Sequence, residues 1–178
     1  MLFGTEFFEL EILKSIQNLF GCEFMDFLMP QITTIGNFGA VWIATGIVLL
    51  CSKKHRHLGI VLLLGLFLGF IFGNLLLKNI IARPRPCWID QSFSLLIKNP
   101  ADFSFPSGHT LSSFIASFVI FGKNKKIGIL TFVLASLIAF SRLYLFVHFP
   151  TDILGGILLA FAVWKVLSFA EKRISHKR

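Results

Sequence analysis

The sequence predicts an all-α protein, a polytopic membrane helix bundle with five transmembrane helices and an amphipathic helix at the N-terminus. Three observations carry this expectation. Of 178 residues, 55% are hydrophobic and 22 are Phe, and the mean hydropathy is +0.78, more apolar surface than a soluble domain of this length buries. Residues 58–77 form an apolar run of 20 whose only strongly polar member is Asn74, a length that lets a helix cross ~30 Å of hydrocarbon. Short basic loops follow alternate apolar segments. The chain reads as one membrane-embedded domain over residues 1–178, with an N-terminal helix at 1–22 and the helix bundle at 35–170.

The N-terminal element carries Glu6, Glu9, Glu11 and Lys14, too much charge for a plain span. On a helical wheel Phe8, Ile12, Leu13, Ile16, Leu19 and Phe20 share one face, while Glu6, Lys14, Gln17 and Asn18 lie opposite. That pattern fits a helix lying in the membrane interface, with a sixth span as the alternative. Residues 1–20 lack the basic n-region and small-residue cleavage site of a removed signal peptide.

Apolar segments follow at 35–51, 58–77, 110–122, 127–147 and 153–170. The first and third are short for a full span, and are expected to extend at their ends by residues that line a pocket rather than lipid. In the second, Gly65, Gly69 and Gly73 repeat every four residues, a stripe that lets another helix approach closely. The Gly155-Gly156 pair of the last segment admits the same packing role.

Topology follows from charge. Lys53, Lys54 and Arg56 follow the first segment, Lys123, Lys125 and Lys126 the third, and Lys172, Arg173, Lys177 and Arg178 the fifth. Alternating helices bring all three tracts to one side, which the positive-inside rule makes the cytoplasm. The net charge of +8 comes largely from these tracts, and nucleic acid is a poor partner for basic residues in short loops without interleaved aromatics. His55, His57 and His176 belong to the same solvated tracts and carry no chemistry. Cys22, Cys51 and Cys87 follow no metal-ligand spacing. Cys51 precedes a basic loop and should be reduced, and a Cys22–Cys87 disulfide is the outward pairing left open, unsupported by any C-x-x-C pattern.

The other face then stands out. Lys78, Arg83, Arg85, Lys98 and Arg142 fall there with His109, His148 and Asp152, against the topology signal. Three clusters result: Lys78…Arg85-Pro86, then Pro106-Ser107-Gly108-His109, then Ser141-Arg142…His148…Asp152. Each alone has a plain reading, as a charged helix end, a helix cap or a structural His–Asp pair. Together, at a membrane boundary where charge is expensive, they read as a functional site. Guanidinium groups stiffened by prolines grip phosphate oxygens in forked geometry, with Arg83 as a supporting or lipid-facing member. Ser107 caps a helix whose free N–H groups suit an anion. Pro150 suits the first turn of the last helix, so His148 lies just before that helix and Asp152 just inside it, a spacing that allows Asp152 to fix the imidazole tautomer.

These residues resemble the type 2 phosphatidic acid phosphatase superfamily of membrane lipid phosphatases, whose fold and site are shared with vanadium haloperoxidases and bacterial class A acid phosphatases. The family pattern K-x6-RP, PSGH, SR-x5-H-x3-D is matched at Lys78…Arg85-Pro86, Pro106–His109 and Ser141-Arg142…His148…Asp152, and the likeness covers roughly residues 35–170. It implies a hydrolase in which Lys78, Arg85, Ser107, Gly108 and Arg142 hold phosphate, His148 attacks phosphorus to form a phosphohistidine, Asp152 orients it, and His109 is general acid and then base. It implies no metal and no cofactor, the cations doing that electrostatic work. The long 79–108 connector would cover the site and shape access for a lipid head group.

Rival readings are a metal-dependent hydrolase using His109, His148 and Asp152, which leaves the cations unexplained, a lipid-binding or transport protein, and a haloperoxidase. Among substrates, undecaprenyl diphosphate leads, ahead of phosphatidic acid, phosphatidylglycerophosphate and lipid A phosphates. The expected setting is the plasma or inner membrane, with the site on the non-cytoplasmic face, a membrane lipid phosphate as substrate and the bilayer as surroundings.

Overall fold

The computed structural model describes residues 4–176, with side chains to residue 173. Residues 1–3, the His176 side chain, Lys177 and Arg178 lie outside the described residues. In chain order the helices are α1 (Glu6–Phe20), α2 (Glu23–Ile35), a 3-10 turn (Asn37–Gly39), α3 (Ala40–Cys51) and α4 (Arg56–Gly69). Helix α4 continues through a π-helical stretch (Phe70–Leu77) into α5 (Lys78–Ile81), and α6 (Pro86–Ile89), α7 (Gly108–Phe121), α8 (Lys125–Tyr144) and α9 (Pro150–His176) complete the chain. No strand occurs among the described residues.

Among the described residues, four helical stretches are long and apolar enough to cross a membrane: Glu23–Cys51, Arg56–Ile89, Lys125–Tyr144 and Pro150–Arg173. The shorter apolar helix Gly108–Phe121 is the fifth apolar element. Its 14 residues reach only about 21 Å at the rise of an α-helix. The packing gives the reason for this length. Helix α7 lies against α4, α8 and α9, with Leu111, Ile115, Ala116 and Val119 buried, so its environment is protein rather than lipid. Outward-facing Val48, Phe67, Phe70, Leu130, Val133, Leu158 and Val166 leave the rim of the bundle apolar, as a bilayer-facing surface requires.

The first apolar element starts earlier than the hydropathy pattern suggests, at Glu23 rather than residue 35. Glu23, Asp26, Gln31, Thr33 and Thr34 interrupt the apolar run in sequence, yet the helix absorbs them. Thr34 Oγ1 donates to the Pro30 carbonyl at 2.7 Å, and Thr33 turns into the interior. The joint with α3 is a kink in which Phe38 (φ 54°) and Gly39 (φ 66°) are left-handed. The extension and the joint carry Thr33 to Arg142 and Asn37 to His109.

Helix α1 turns Phe7, Phe8 and Leu19 outward, while Glu6, Glu9, Leu10 and Leu13 are buried. At 15 residues it is not among the helices long enough to span. Its two faces are not divided as the wheel suggests: Glu6 of the expected polar face and Leu13 of the expected apolar face are both buried.

The glycine stripe does what its spacing suggests. A Cβ on Gly65 would fall 2.9 Å from Ile115 Cγ2, one on Gly69 2.5 Å from Ile115 Cδ1, and one on Gly73 against Leu111 Cδ2. The Gly155-Gly156 pair also admits a helix, since a Cβ on Gly156 would meet Thr110 Cβ of α7 at 3.2 Å, and it takes up the loop before that helix as well. Gly155 lies under the Phe105 ring, and a Cβ on Gly156 would meet the Ser107 carbonyl at 3.0 Å, so the pair seats the loop that enters α7. All three cysteines are free, Cys87 being buried and Cys22 exposed, with the Cys87 thiol 3.6 Å from Asn99 Oδ1. The open disulfide pairing is therefore not made.

Gly69→Ala should destabilise the protein in detergent by about 1–3 kcal/mol, the usual cost of overpacking. Adding Ile115→Val, which removes the Cδ1 that the new methyl meets, should recover part of that loss. Unfolding midpoints of the three proteins check both statements.

Candidate active site

Every residue of the three sequence clusters comes from a helix end or the loop beside one. Lys78 opens α5, Arg85 precedes α6, Ser107 caps α7, Gly108 and His109 form its first turn, Arg142 lies in the last turn of α8, and Asp152 lies in the first turn of α9. His148 sits in the short link between α8 and α9. The π-helical stretch before Lys78 is a form that recurs at functional sites. It brings Asn74 against Gly108, where a Cβ would fall 2.7 Å from Asn74 Oδ1.

After Ile81 the helix stops at Ala82, which is left-handed (φ 48°). Pro84 and Pro86 keep the preceding residues extended, and Arg83 and Arg85 both reach inward. Main-chain hydrogen bonds then tie the clusters together. Ser104 N–H donates to the Arg83 carbonyl at 2.8 Å, and Ser107 N–H to the Asp152 carbonyl at 3.1 Å. Ser107 Oγ accepts from Thr110 Oγ1 at 3.0 Å, a cap that starts α7 at the loop.

The centre is His148, 1% exposed. Arg85 Nη1 lies 3.1 Å from His148 Nε2, and a guanidinium can only donate. Nε2 therefore accepts, and the ring proton sits on Nδ1. That nitrogen faces Asp152 Oδ2 at 3.4 Å and Ser104 Oγ at 3.4 Å. Asp152 is itself held: Oδ2 accepts from Phe149 N–H at 2.8 Å and from Ser104 Oγ, and Oδ1 accepts from Arg83 Nη1 at 2.7 Å. The tautomer leaves an unshared pair on Nε2, directed at a cation. Burial first, and then the charges of Arg85, Arg142 and Lys78, hold His148 well below its ordinary 6.5, so the imidazole is neutral at physiological pH.

Lys78, Arg85 and Arg142 are each no more than 6% exposed, and buried cations need partners. Those they have are modest. Asp102, with its side chain 58% exposed, bridges Lys78 Nζ at 2.5 Å and Arg85 Nη2 at 2.7 Å. Burial alone would raise the Asp102 carboxyl, but the Lys78 hydrogen bond and the Arg85 and Lys78 charges hold it well below the usual carboxylate range. Arg85 also donates to the carbonyls of Asp102 and Val147 at 2.7 and 2.6 Å. Arg142 Nη1 donates to Thr33 Oγ1 at 2.6 Å, and its buried Nε has no hydrogen-bond partner among the described residues. A buried donor without an acceptor is rare, and this one suits an incoming oxyanion. His109 Nε2 lies 2.9 Å from Asn37 Oδ1. A carboxamide oxygen only accepts, so Nε2 carries the proton and Nδ1 is the nitrogen free to exchange one.

The structure thus links Arg85, His148 and Asp152 directly, with Lys78 joined to Arg85 through Asp102 and Ser107 joined to Asp152 through the backbone. Arg83, left between a supporting and a lipid-facing place by the sequence, is fully buried on Asp152 and Glu9. Lys98 is exposed. Sequence reasoning missed Thr33, Asn37, Asp102 and Ser104, all of which touch a motif side chain. The available signals were slight: Asn37 beside a glycine at the mouth of an apolar segment, and Asp102 and Ser104 a few residues before Pro106. Among the described residues, no group of three or more His, Cys, Asp and Glu could hold a metal ion.

The sequence matches the PAP2 superfamily over residues 56–174. It is 33% identical over 158 residues to an undecaprenyl-diphosphatase of Sulfolobus acidocaldarius, covering 88% of this chain and 73% of that protein. The fold is similar to the crystal structure of the first transmembrane PAP2-type phosphatidylglycerolphosphate phosphatase, from Bacillus subtilis, with a TM-score of 0.78 and 27% identity, covering 97% of this chain and 88% of that one. Aquifex aeolicus LpxE superposes with a TM-score of 0.77 at 28% identity, covering 89% of this chain and 93% of that one. The chain belongs to the PAP2 superfamily.

An oxyanion entering between Lys78 and Arg85 must take the place of Asp102. Asp102→Asn should therefore tighten binding of inorganic vanadate by up to about fivefold, the worth of a half-exposed ion pair. Calorimetric titration of the detergent-solubilised protein measures this. Weaker binding would mean that Asp102 anchors the cations instead.

Proposed function

We propose that this PAP2 superfamily protein is an integral membrane lipid phosphatase that hydrolyses a lipid diphosphate, undecaprenyl diphosphate first, through a phosphohistidine. The observation that carries this reading is the Arg85–His148 contact, which leaves the Nε2 lone pair at the edge of a cationic cradle. A phosphoryl group carries about 1.5–2 negative charges at neutral pH, and its transfer demands positioning and charge neutralisation above all.

Lys78, Arg85, Arg142 and the Ser107–Gly108 turn would take the three non-bridging oxygens, Arg85 giving up Nε2 and Asp102 as it does so. Nε2 of His148 attacks phosphorus, the N–P bond forms and the bridging P–O bond breaks. The proton that the departing oxygen needs comes from Nδ1 of His109, protonated once the phosphate dianion is bound beside it. Asp152 holds the Nδ1 proton of His148 throughout and stabilises the charge that develops on the ring. Water then attacks the phosphohistidine, His109 accepts its proton, the N–P bond breaks and phosphate leaves. The charge neutralisation that a metal supplies elsewhere comes here from the three cations.

Substrate choice rests on the named relatives. The undecaprenyl-diphosphatase likeness favours a polyprenyl diphosphate. The B. subtilis likeness makes phosphatidylglycerophosphate the second candidate, and phosphatidic acid and lipid A phosphates share the same reacting group. The basic tracts after α3, α7 and in α9 favour a plasma or inner membrane setting with the site outward.

Purified protein should release phosphate from undecaprenyl diphosphate faster than from phosphatidylglycerophosphate, phosphatidic acid or a phosphorylated lipid A. His148→Ala should abolish both turnover and the acid-labile phosphoprotein. Trapped phosphohistidine in that variant would sink the assignment, and phosphatidylglycerophosphate as the best substrate would move the protein to the second candidate.

Sidedness has its own measurement. Cys87 is buried and unsuited as a probe, so the outer reporter is Ser94→Cys in the exposed connector and the inner one is exposed Cys51. An impermeant maleimide on intact cells should label position 94 and spare Cys51. The reverse pattern would place the site on the cytoplasmic face.

A further inference from the structure

Glu9 and Arg83 bind each other, Thr151 and Asp152, none of which would hold phosphoryl oxygens, yet they are 3% and 0% exposed. A charge so far from water is costly unless well paired, and this pair is built with care. Arg83 Nη2 meets Glu9 Oε2 at 2.5 Å, while Nη1 donates to Asp152 Oδ1 at 2.7 Å and to Thr151 Oγ1 at 2.7 Å. Glu9 Oε1 accepts from Thr151 N–H at 2.8 Å and from Thr151 Oγ1 at 2.7 Å. The guanidinium lies over the Phe149 ring, 4.0 Å from its centroid. One carboxylate from α1 and one guanidinium from the proline-rich turn thereby grasp the first turn of α9 at two adjacent residues. Glu9 lies outside residues 56–174, which carry the family match.

We infer that Glu9 and Arg83 are positioning residues for Asp152, so that α1 completes the catalytic end of the bundle. The inference rests on the phosphatase reading and extends it. Arg83 fixes Oδ1 of Asp152, which turns Oδ2 towards Ser104, Phe149 N–H and the His148 ring. Glu9 matters through charge as well as geometry. A guanidinium between two carboxylates leaves one negative charge uncompensated, and that charge faces the imidazole that must become cationic on attack. Without Glu9, Arg83 would draw more strongly on Asp152 and weaken its hold on His148. Lysine cannot replace Arg83, because a point ammonium does not bridge two carboxylates and a hydroxyl in one plane.

The test is a double-mutant cycle on the lipid that wild-type protein hydrolyses. Glu9→Gln should lower kcat by about 10–100-fold, the scale expected for a slightly misplaced catalytic group, with KM within about twofold of wild type because the phosphate-holding cations are untouched. Arg83→Lys, which keeps the buried charge, should do the same. In an Asp152→Asn background, followed by single turnover with excess protein, Glu9→Gln should cost less than about twofold more, since its effect passes through Asp152. Unfolding midpoints in detergent identify any variant that fails to fold, and the cycle is then read from the other.

Wild-type kcat in Glu9→Gln or in Arg83→Lys, a rise in KM alone, or a loss that multiplies in the Asp152→Asn background would each overturn the inference. Those results leave phosphate release by the wild-type protein intact. Absence of release by the wild-type protein from every lipid would instead be the failure of the phosphatase reading, and would take this inference with it.

Discussion

Lys78, Arg83, Arg85 and Arg142 are buried together at one end of an apolar bundle, and their mutual repulsion is the constraint around which that end is organised. Water cannot screen them, so each needs an acceptor supplied by the fold. The acceptors come from far along the chain: Glu9 from α1, Thr33 from α2, Asp102 from the connector and Asp152 from α9. Removing α1, α2 or α9 would take an acceptor from one of these charges. Compensation of this kind makes the site a tertiary object although its residues lie in three short sequence clusters.

The bundle tolerates this because its other end and its rim are ordinary. Apolar side chains face outward, the glycine stripe of α4 lets α7 approach closely, and α7 is surrounded by protein. A short central helix has a consequence for the site. Its N-terminus, with Ser107, Gly108 and His109, meets Asn74 of the π-helical stretch, Gly156 of α9 and Asn37 of the turn before α3. The Gly155-Gly156 pair then allows Phe105 and the Ser107 carbonyl to rest directly on α9, which sets the distance between the loop and Asp152.

How much of this the sequence revealed depends on what kind of information each residue carries. Lys78, Arg85, His148 and Asp152 were legible because a cation or an imidazole beside a membrane span has few ordinary explanations. Helix identities were legible from hydropathy, apart from α2, where Glu23, Asp26, Gln31 and Thr33 broke the run although the helix continued through them. The acceptors were not legible. A threonine, an asparagine or a glutamate has many harmless places in a helix, and nothing local distinguishes Thr33 under a guanidinium from Thr34 bonded to its own helix. Glu9 shows this most clearly. In the sequence it is only one of several charges that argue against a plain span, and only the tertiary structure puts Arg83 and Thr151 opposite it.

The acceptors also divide the cations into two kinds. Arg83 faces two carboxylates that are almost wholly buried, a pairing with no room for exchange. Lys78 and Arg85 face the half-exposed Asp102, and Arg142 has a threonine hydroxyl in place of a carboxylate. The first kind is spent on shaping Asp152, while the second is left under-compensated and open to a stronger anion. A fold that satisfied all four cations equally would be more stable and would bind phosphate less well, because each phosphate contact would then have to break a full internal pair. The same division explains why the motifs reveal reaction class but not lipid identity. On the proposed function the under-compensated cations would meet a phosphoryl group that all the candidate lipids share, and discrimination among lipids would come from the connector and the apolar surfaces beyond it, where no motif residue lies.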